Sequence, residues 1–213
     1  MKRIKYILFA LVLSLLFVSC KKTKTDPSSS ESSETPIESS SSKADESKPE
    51  SLTNLSDLKE IISNSIKKAY LVKTESQITD SSVVVYKMDK SITISDQDTL
   101  KGSVITNTYT LDNTFALSKD TKVETIDNLD KSTLFSATLS DSYFESIAIS
   151  TSGLTGEIKK DFVQNYFNST SVSSDTNITV NIVVSNYVLQ SVSYSYTLSN
   201  RIITINTTYS YLS

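Results

Sequence analysis

Val188-Leu-Gln-Ser-Val192-Ser-Tyr194-Ser-Tyr196-Thr-Leu198-Ser199-Asn200-Arg201-Ile-Ile203-Thr-Ile205-Asn-Thr207-Thr-Tyr209-Ser-Tyr211 decides the fold. A two-residue turn at Ser199-Asn200 sets Leu198 against Arg201, Tyr196 against Ile203, Tyr194 against Ile205, Val192 against Thr207, Gln190 against Tyr209 and Val188 against Tyr211. One face of this hairpin is apolar and rich in tyrosine. The alternate pairs, Ser195 with Thr204, Ser193 with Asn206 and Ser191 with Thr208, are polar throughout, so that face meets water. Asn177 to Val184 reads as a third strand of the same kind, with Ile178, Val180, Ile182 and Val184 on one side.

Upstream, Ser82 to Met88, Ser91 to Ser95, Ser103 to Leu111, Thr114 to Leu117 and Lys122 to Ile126 are short β-branched alternations. They are separated by Asp89-Lys90, Asp96-Gln-Asp98, Asp112-Asn113 and Asp127-Asn128, the pattern of an antiparallel meander. Lys131 to Leu139 is expected to add another strand. Between Asp141 and Asn168 the alternation lapses: Ile158, Phe162, Val163, Tyr166 and Phe167 recur at helical intervals, which predicts a helix over Glu157 to Phe167, with a short helix over Asp141 to Ile149. At the front of the domain, Asn54 stands as an N-cap with Asp57 three residues on. Leu55, Leu58, Ile62, Ile66 and Ala69 then trace one stripe of an amphipathic helix over Leu55 to Tyr70.

The expected architecture is therefore α+β: an antiparallel sheet, a curved meander, covered on one face by an N-terminal helix and an inserted helix. Three segments make up the chain: a leader over 1–19, a Cys20-led polar tether over 20–50, and one domain over 51–213. The tether is almost free of apolar residues and holds all three prolines, Pro27, Pro36 and Pro49. Such a coil spans about 30 Å on average and about 100 Å at full stretch.

Composition narrows the chemistry. The chain has 213 residues, no histidine, no tryptophan and one cysteine, so imidazole-activated nucleophiles, histidine-bound zinc and internal disulfides are excluded by inventory. With Lys2, Arg3 and Lys5 assigned to the leader, 18 basic residues face 24 acidic ones, a net charge of −6. The remaining lysines are scattered, an arrangement that argues against nucleic acid as a partner. Asp96 with Asp98, Asp127 with Asp130, and Asp141 with Glu145 are close in sequence and read as solvated surface acids, not as a catalytic pair across a cleft. Ser95-Asp-Gln-Asp-Thr99 lacks the glycine and glutamate of a calcium loop, and three glycines in the whole chain leave no phosphate-binding loop. No catalytic residue, cofactor or metal site is expected.

The leader carries a basic start, an apolar run from Ile7 to Val18, and then Leu16-Phe17-Val18-Ser19-Cys20. This ending resembles the lipobox of bacterial lipoproteins, with Phe17 standing where leucine is usual. The resemblance implies a diacylglyceryl group on the Cys20 sulfur, cleavage between Ser19 and Cys20 by signal peptidase II, and a chain held by lipid on the extracytoplasmic face of the cell membrane. One acyl chain anchors only marginally, so two or three are needed for firm attachment. A secretory signal with an incidental cysteine and an uncleaved N-terminal helix are the competing readings.

In size, element order and lipoprotein context the domain resembles the LolA and LppX-like folds, in which a curved antiparallel sheet wraps helices and encloses an apolar cavity for acyl chains. That resemblance implies a non-enzymatic protein binding a lipid or other apolar small molecule between sheet and helices. Tyr194, Tyr196, Tyr209, Tyr211, Phe162 and Tyr166 are the expected cavity wall, with core packing as the competing use of the same side chains. The alternative function is a structural or adhesive surface module that contacts a protein or glycan.

Overall fold

The computed structural model describes residues 52–112, 114 and 116–212. The leader, Ser19, Cys20 and the tether lie outside the described residues. Nine antiparallel strands form one sheet: β1 (Ala69–Asp80), β2 (Val83–Asp96), β3 (Lys101–Leu111), β4 (Leu117–Ile126), β5 (Phe144–Ser150), β6 (Gly153–Ile158), β7 (Ile178–Ser185), β8 (Val188–Leu198) and β9 (Arg201–Tyr211). Their order is β4-β3-β2-β1-β9-β8-β7-β6-β5, so β1 lies mid-sheet between β2 and β9. With helix α1 (Leu55–Lys68) and a short helix α2 (Val163–Phe167), the chain is α+β and dominated by its sheet.

The closing hairpin has the register read from its sequence, from Leu198 opposite Arg201 through Tyr196–Ile203 and Tyr194–Ile205 to Ser191–Thr208. Ser199 and Asn200 both take positive φ, 52° and 63°, the backbone that matches the twist of the two strands. Two further two-residue turns share this form, Ser81-Ser82 between β1 and β2 and Asn186-Tyr187 between β7 and β8. Neither contains glycine, which is why the turn pattern is hard to read there.

Helix α1 begins as its cap predicts. The Asn54 side chain accepts from the amides of Ser56 and Asp57 at 2.8 and 3.0 Å, and the Asp57 carboxylate accepts from the Asn54 amide at 3.3 Å. The Thr53 amide, donating to Asp57, is the largest cause holding that carboxyl below its usual range. Leu55, Leu58, Ile61, Ile62 and Ile66 are buried. The helix stops at Lys68, two residues before the expected end, because Ala69 turns to extended backbone and β1 begins at once.

Four expectations are corrected. Asp89-Lys90 is not a break: the two alternations around it are one strand, β2, in which Asp89 and Lys90 pair in register with Glu75 and Thr74. The strand expected at Thr114 to Leu117 is not formed there: Thr114 lies in a turn, and Leu117 opens one strand, β4, that runs unbroken through the expected Lys122 to Ile126. Lys131 to Leu139 is no strand. A 3-10 turn over Lys131–Leu134 starts on an Asp130 cap, and the rest is a strap without regular secondary structure. The helices expected at Asp141 to Ile149 and Glu157 to Phe167 shrink to a turn at Asp141–Tyr143, another at Lys160–Phe162 and five residues of α2, because Phe144–Ser150 and Gly153–Ile158 pair as the β5–β6 hairpin. Gly153 makes that hairpin possible: its φ is +129°, and a Cβ there would meet the Ile182 carbonyl oxygen at 1.8 Å.

Candidate functional site

The inner sheet face divides in two. On β7, Ile178, Val180, Ile182 and Val184 are all buried, and Val192, Tyr196, Ile203, Ile205 and Tyr209 continue that surface over β8 and β9. Across the middle it turns polar: Thr207 pairs with Thr74, their hydroxyls 3.0 Å apart, then Thr74 with Lys90 and Lys90 with Thr106. Ser76, 2% exposed, sits between Ile205 and Met88, its hydroxyl without a partner among the described residues.

Most of the expected cavity wall is packed. Tyr166 is fully buried and meets Phe144, Phe167 and Tyr194 edge-on, with ring centres 6.0, 5.0 and 6.0 Å apart. Tyr196 is buried too, and burial pushes its hydroxyl up from 10 to about 12. Tyr209 donates to the Leu134 carbonyl at 2.9 Å and so holds the 131–139 strap down on the sheet. Phe162 lies away from this cluster, stacked on Tyr143 at 5.4 Å beside the Lys159 ammonium. Of the six side chains, Tyr194 and Tyr209 border a space of about 100 Å³ beneath the strap that Thr74, Lys90 and Thr207 also line.

Tyr211 has a structural task that the sequence does not announce. It donates to the Leu189 carbonyl, while the Leu189 amide donates to the Ser65 hydroxyl of α1 at 2.9 Å. Ser65 in turn donates to the Ile61 carbonyl at 2.7 Å. Leu189 stands where the β7–β8 register shifts, so its backbone needs these partners. A serine on the apolar stripe of α1 is the visible signal.

A larger hollow opens on the far side of the strap. Helix α1 contributes Ile62 and Ile66, the strap contributes Phe135, Ala137 and Leu139, and together they floor a groove of about 430 Å³. Lys59, Lys67 and Lys131 stand along it with the hydroxyls of Ser63, Ser132 and Thr138. Lys131 is committed to the fold: its ammonium donates to the Lys67 carbonyl at the end of α1 and to the Gln97 side chain. Desolvation there lowers the pKa of Lys131. Phe135 and Ala137 border both this groove and the inner cavity, so the strap is the partition between them. The strap half of the groove has the sequence pattern of a strand and the helix half that of a core stripe, so no local pattern marks the groove.

The outer face is mostly polar, with Ile105, Val123 and Ile202 exposed among its polar side chains. One row runs Thr155, Asn181, Ser193, Asn206, Glu75, Asp89, Asn107, Thr121 over eight strands in continuous register. A shallow basin of about 310 Å³ lies over its middle. Two of the paired acids, Asp96 and Asp130, cap local turns. Asp96 accepts from the Thr99 hydroxyl at 2.6 Å and from the amides of Asp98 and Thr99, and these bonds hold its carboxyl below the usual range. Among the described residues no group of three His, Cys, Asp or Glu is placed to hold a metal ion, and no helix is long and apolar enough to cross a membrane. No protein-family model matches the chain, and no curated protein matches it significantly.

Proposed function

We propose that this chain is a membrane-anchored extracytoplasmic lipoprotein, attached through Cys20, that binds an apolar or amphiphilic small molecule and catalyses no reaction. The observation that carries the reading is the groove between α1 and the strap, about 430 Å³ with an apolar floor and a polar rim, which is the size and lining of a ligand site. It relocates the site from the tyrosine hairpin to the helix side of the strap. In this reading α1, the strap and α2 form the cover over a curved sheet, the arrangement that resembles LolA-like folds. The lack of histidine, with the sole cysteine in the leader, supports binding over catalysis.

Two experiments test it. Cys20→Ser is expected to free the protein from membranes under alkaline wash; a variant that stays bound removes the lipid anchor. Detergent-free protein is expected to take up a fluorescent fatty acid or an extracted envelope lipid, and Ile66→Glu in the groove floor to abolish that uptake. Failure to take up any such molecule overturns the binding function.

The continuous polar row on the outer face favours a second reading, a structural or adhesive module that meets a protein or glycan there. Its test is crosslinking on intact cells with and without Asn206→Arg. A partner lost in that variant supports it, and the same partner retained overturns it.

A further inference from the structure

We infer that the ligand of the groove is a single-chain amphiphile with an anionic head, of the long-chain fatty acid class, whose carboxylate meets Lys59 or Lys67 at one end of the groove. The inference rests on the binding function proposed above and adds the charge and shape of what is bound.

Three observations carry it. First, the groove's titratable lining is of one sign: Lys59, Lys67 and Lys131, with no carboxylate among the lining residues. This stands against the chain as a whole, which is net acidic at −3. Second, the three ammonium groups are not equivalent. Lys131 is occupied by the Lys67 carbonyl and Gln97. Lys59 and Lys67 are exposed, and their ammonium groups have no partner among the described residues. Third, the two free lysines are two turns apart on the groove side of α1, a separation of about 12 Å, and Ile62 and Ile66 lie between them. An acyl chain laid along Ile62, Ile66 and Phe135 thus has a cationic group within reach at either end.

The head is assigned as a carboxylate because the rim offers separate lysine charges and, among its lining residues, no arginine fork of the kind that holds a phosphate. At about 430 Å³ the groove suits one acyl chain, not the two of a diacyl lipid.

The test compares a polyene fatty acid with its methyl ester on the full chain carrying Cys20→Ser, purified without detergent. The two probes share a chain and differ in charge. The acid is expected to bind about fivefold to tenfold more tightly than the ester, and rising salt is expected to erase that preference. Lys59→Glu with Lys67→Glu is expected to weaken the acid and leave the ester unchanged; should that variant not fold, Lys59→Gln with Lys67→Gln gives the same comparison. Equal binding of acid and ester, or a preference that survives both variants, overturns the anionic head while the groove stands. Binding of neither probe overturns the groove itself.

Discussion

The two ends of the sheet are built on the same backbone plan and by different means. At the β7–β9 end, the inner face is mostly Ile, Val and Tyr, buried at Ile178, Val180, Ile182, Val184, Val192, Tyr196, Ile203, Ile205 and Tyr209, and α1 is latched to Leu189 through Ser65. At the β3–β4 end, the inner positions after Val104 are Thr106, Thr108 and Thr110, facing Lys122, Asp120 and Ser118 of β4. Every residue of β4 but Ile126 is exposed, on both faces. The difference teaches that a strand can be specified without a core. Ten consecutive register pairs, β-branched side chains and the Asp112 turn hold β4 in place, with the Asp112 carboxylate accepting from the amides of Thr114 and Ala116 at 2.7 and 3.0 Å. An edge so exposed also carries the charges, Lys119, Asp120, Lys122 and Glu124, that deter pairing with another sheet.

The largest way to break the comparison is to hollow out the covered end. Tyr166→Ala removes a fully buried ring and three edge-on contacts, and is expected to cost about 4 kcal/mol in urea unfolding. A loss under about 1 kcal/mol would mean that this end is less well packed than its burial implies.

Alkali probes the same end chemically. Tyr196 titrates near 10 when unfolded and near 12 when folded, so below pH 10 its contribution to stability is complete. Between pH 10 and 12 the unfolded chain loses the proton first and stability falls, by about 2 to 3 kcal/mol from this one side chain. Tyrosinate absorbance is expected to rise together with loss of structure in that window; ionisation of all the tyrosines well before unfolding would contradict the burial.

Next in size is the latch. Ser65→Ala leaves the buried Leu189 amide without its acceptor and is expected to cost about 2 kcal/mol. Hydrogen exchange at Leu189 should speed up more than exchange across β3–β4. The smallest change sharpens the contrast from the other side: Val123→Thr, at a position 65% exposed, should shift stability by less than about 0.5 kcal/mol. A larger loss would show that the uncovered end does have packing to lose.

The covered end is also the legible one. The Tyr/Ile alternation and the Ser199-Asn200 turn are enough to set the hairpin register residue by residue, and Asn54 with Asp57 marks the start of α1. Where the inner face is polar, the period-two signal vanishes, because Thr and Lys occupy both faces. That is why β2 and β4 each read as two fragments split at charged residues. The β5–β6 hairpin was obscured differently: its apolar residues also fit helical spacing, and the tie was broken by Gly153, whose tight approach to Ile182 suits only a strand pair.

The candidate site was the least legible part. Tyrosine is equally suited to lining a cavity and to filling a core, and sequence alone does not say which side chains will meet. Tyr166, Tyr196, Tyr209 and Tyr211 went to the interior or to backbone carbonyls, while the groove arose from a strap whose shape depends on Asp130, Lys131 and Tyr209 acting together.

The placement of β1 bears on how the molecule comes into being. It leaves α1 without a loop and lies mid-sheet, yet one of its two ladders is made with β9, from the opposite end of the domain. Contacts between residues so far apart in the chain raise contact order and slow folding. The β1–β4 meander can assemble early, but Val72 and Ile78 find Tyr209 and Ile203 only when β9 arrives. A chain that waits this long to close keeps its central strand half-paired until its last strand is in place.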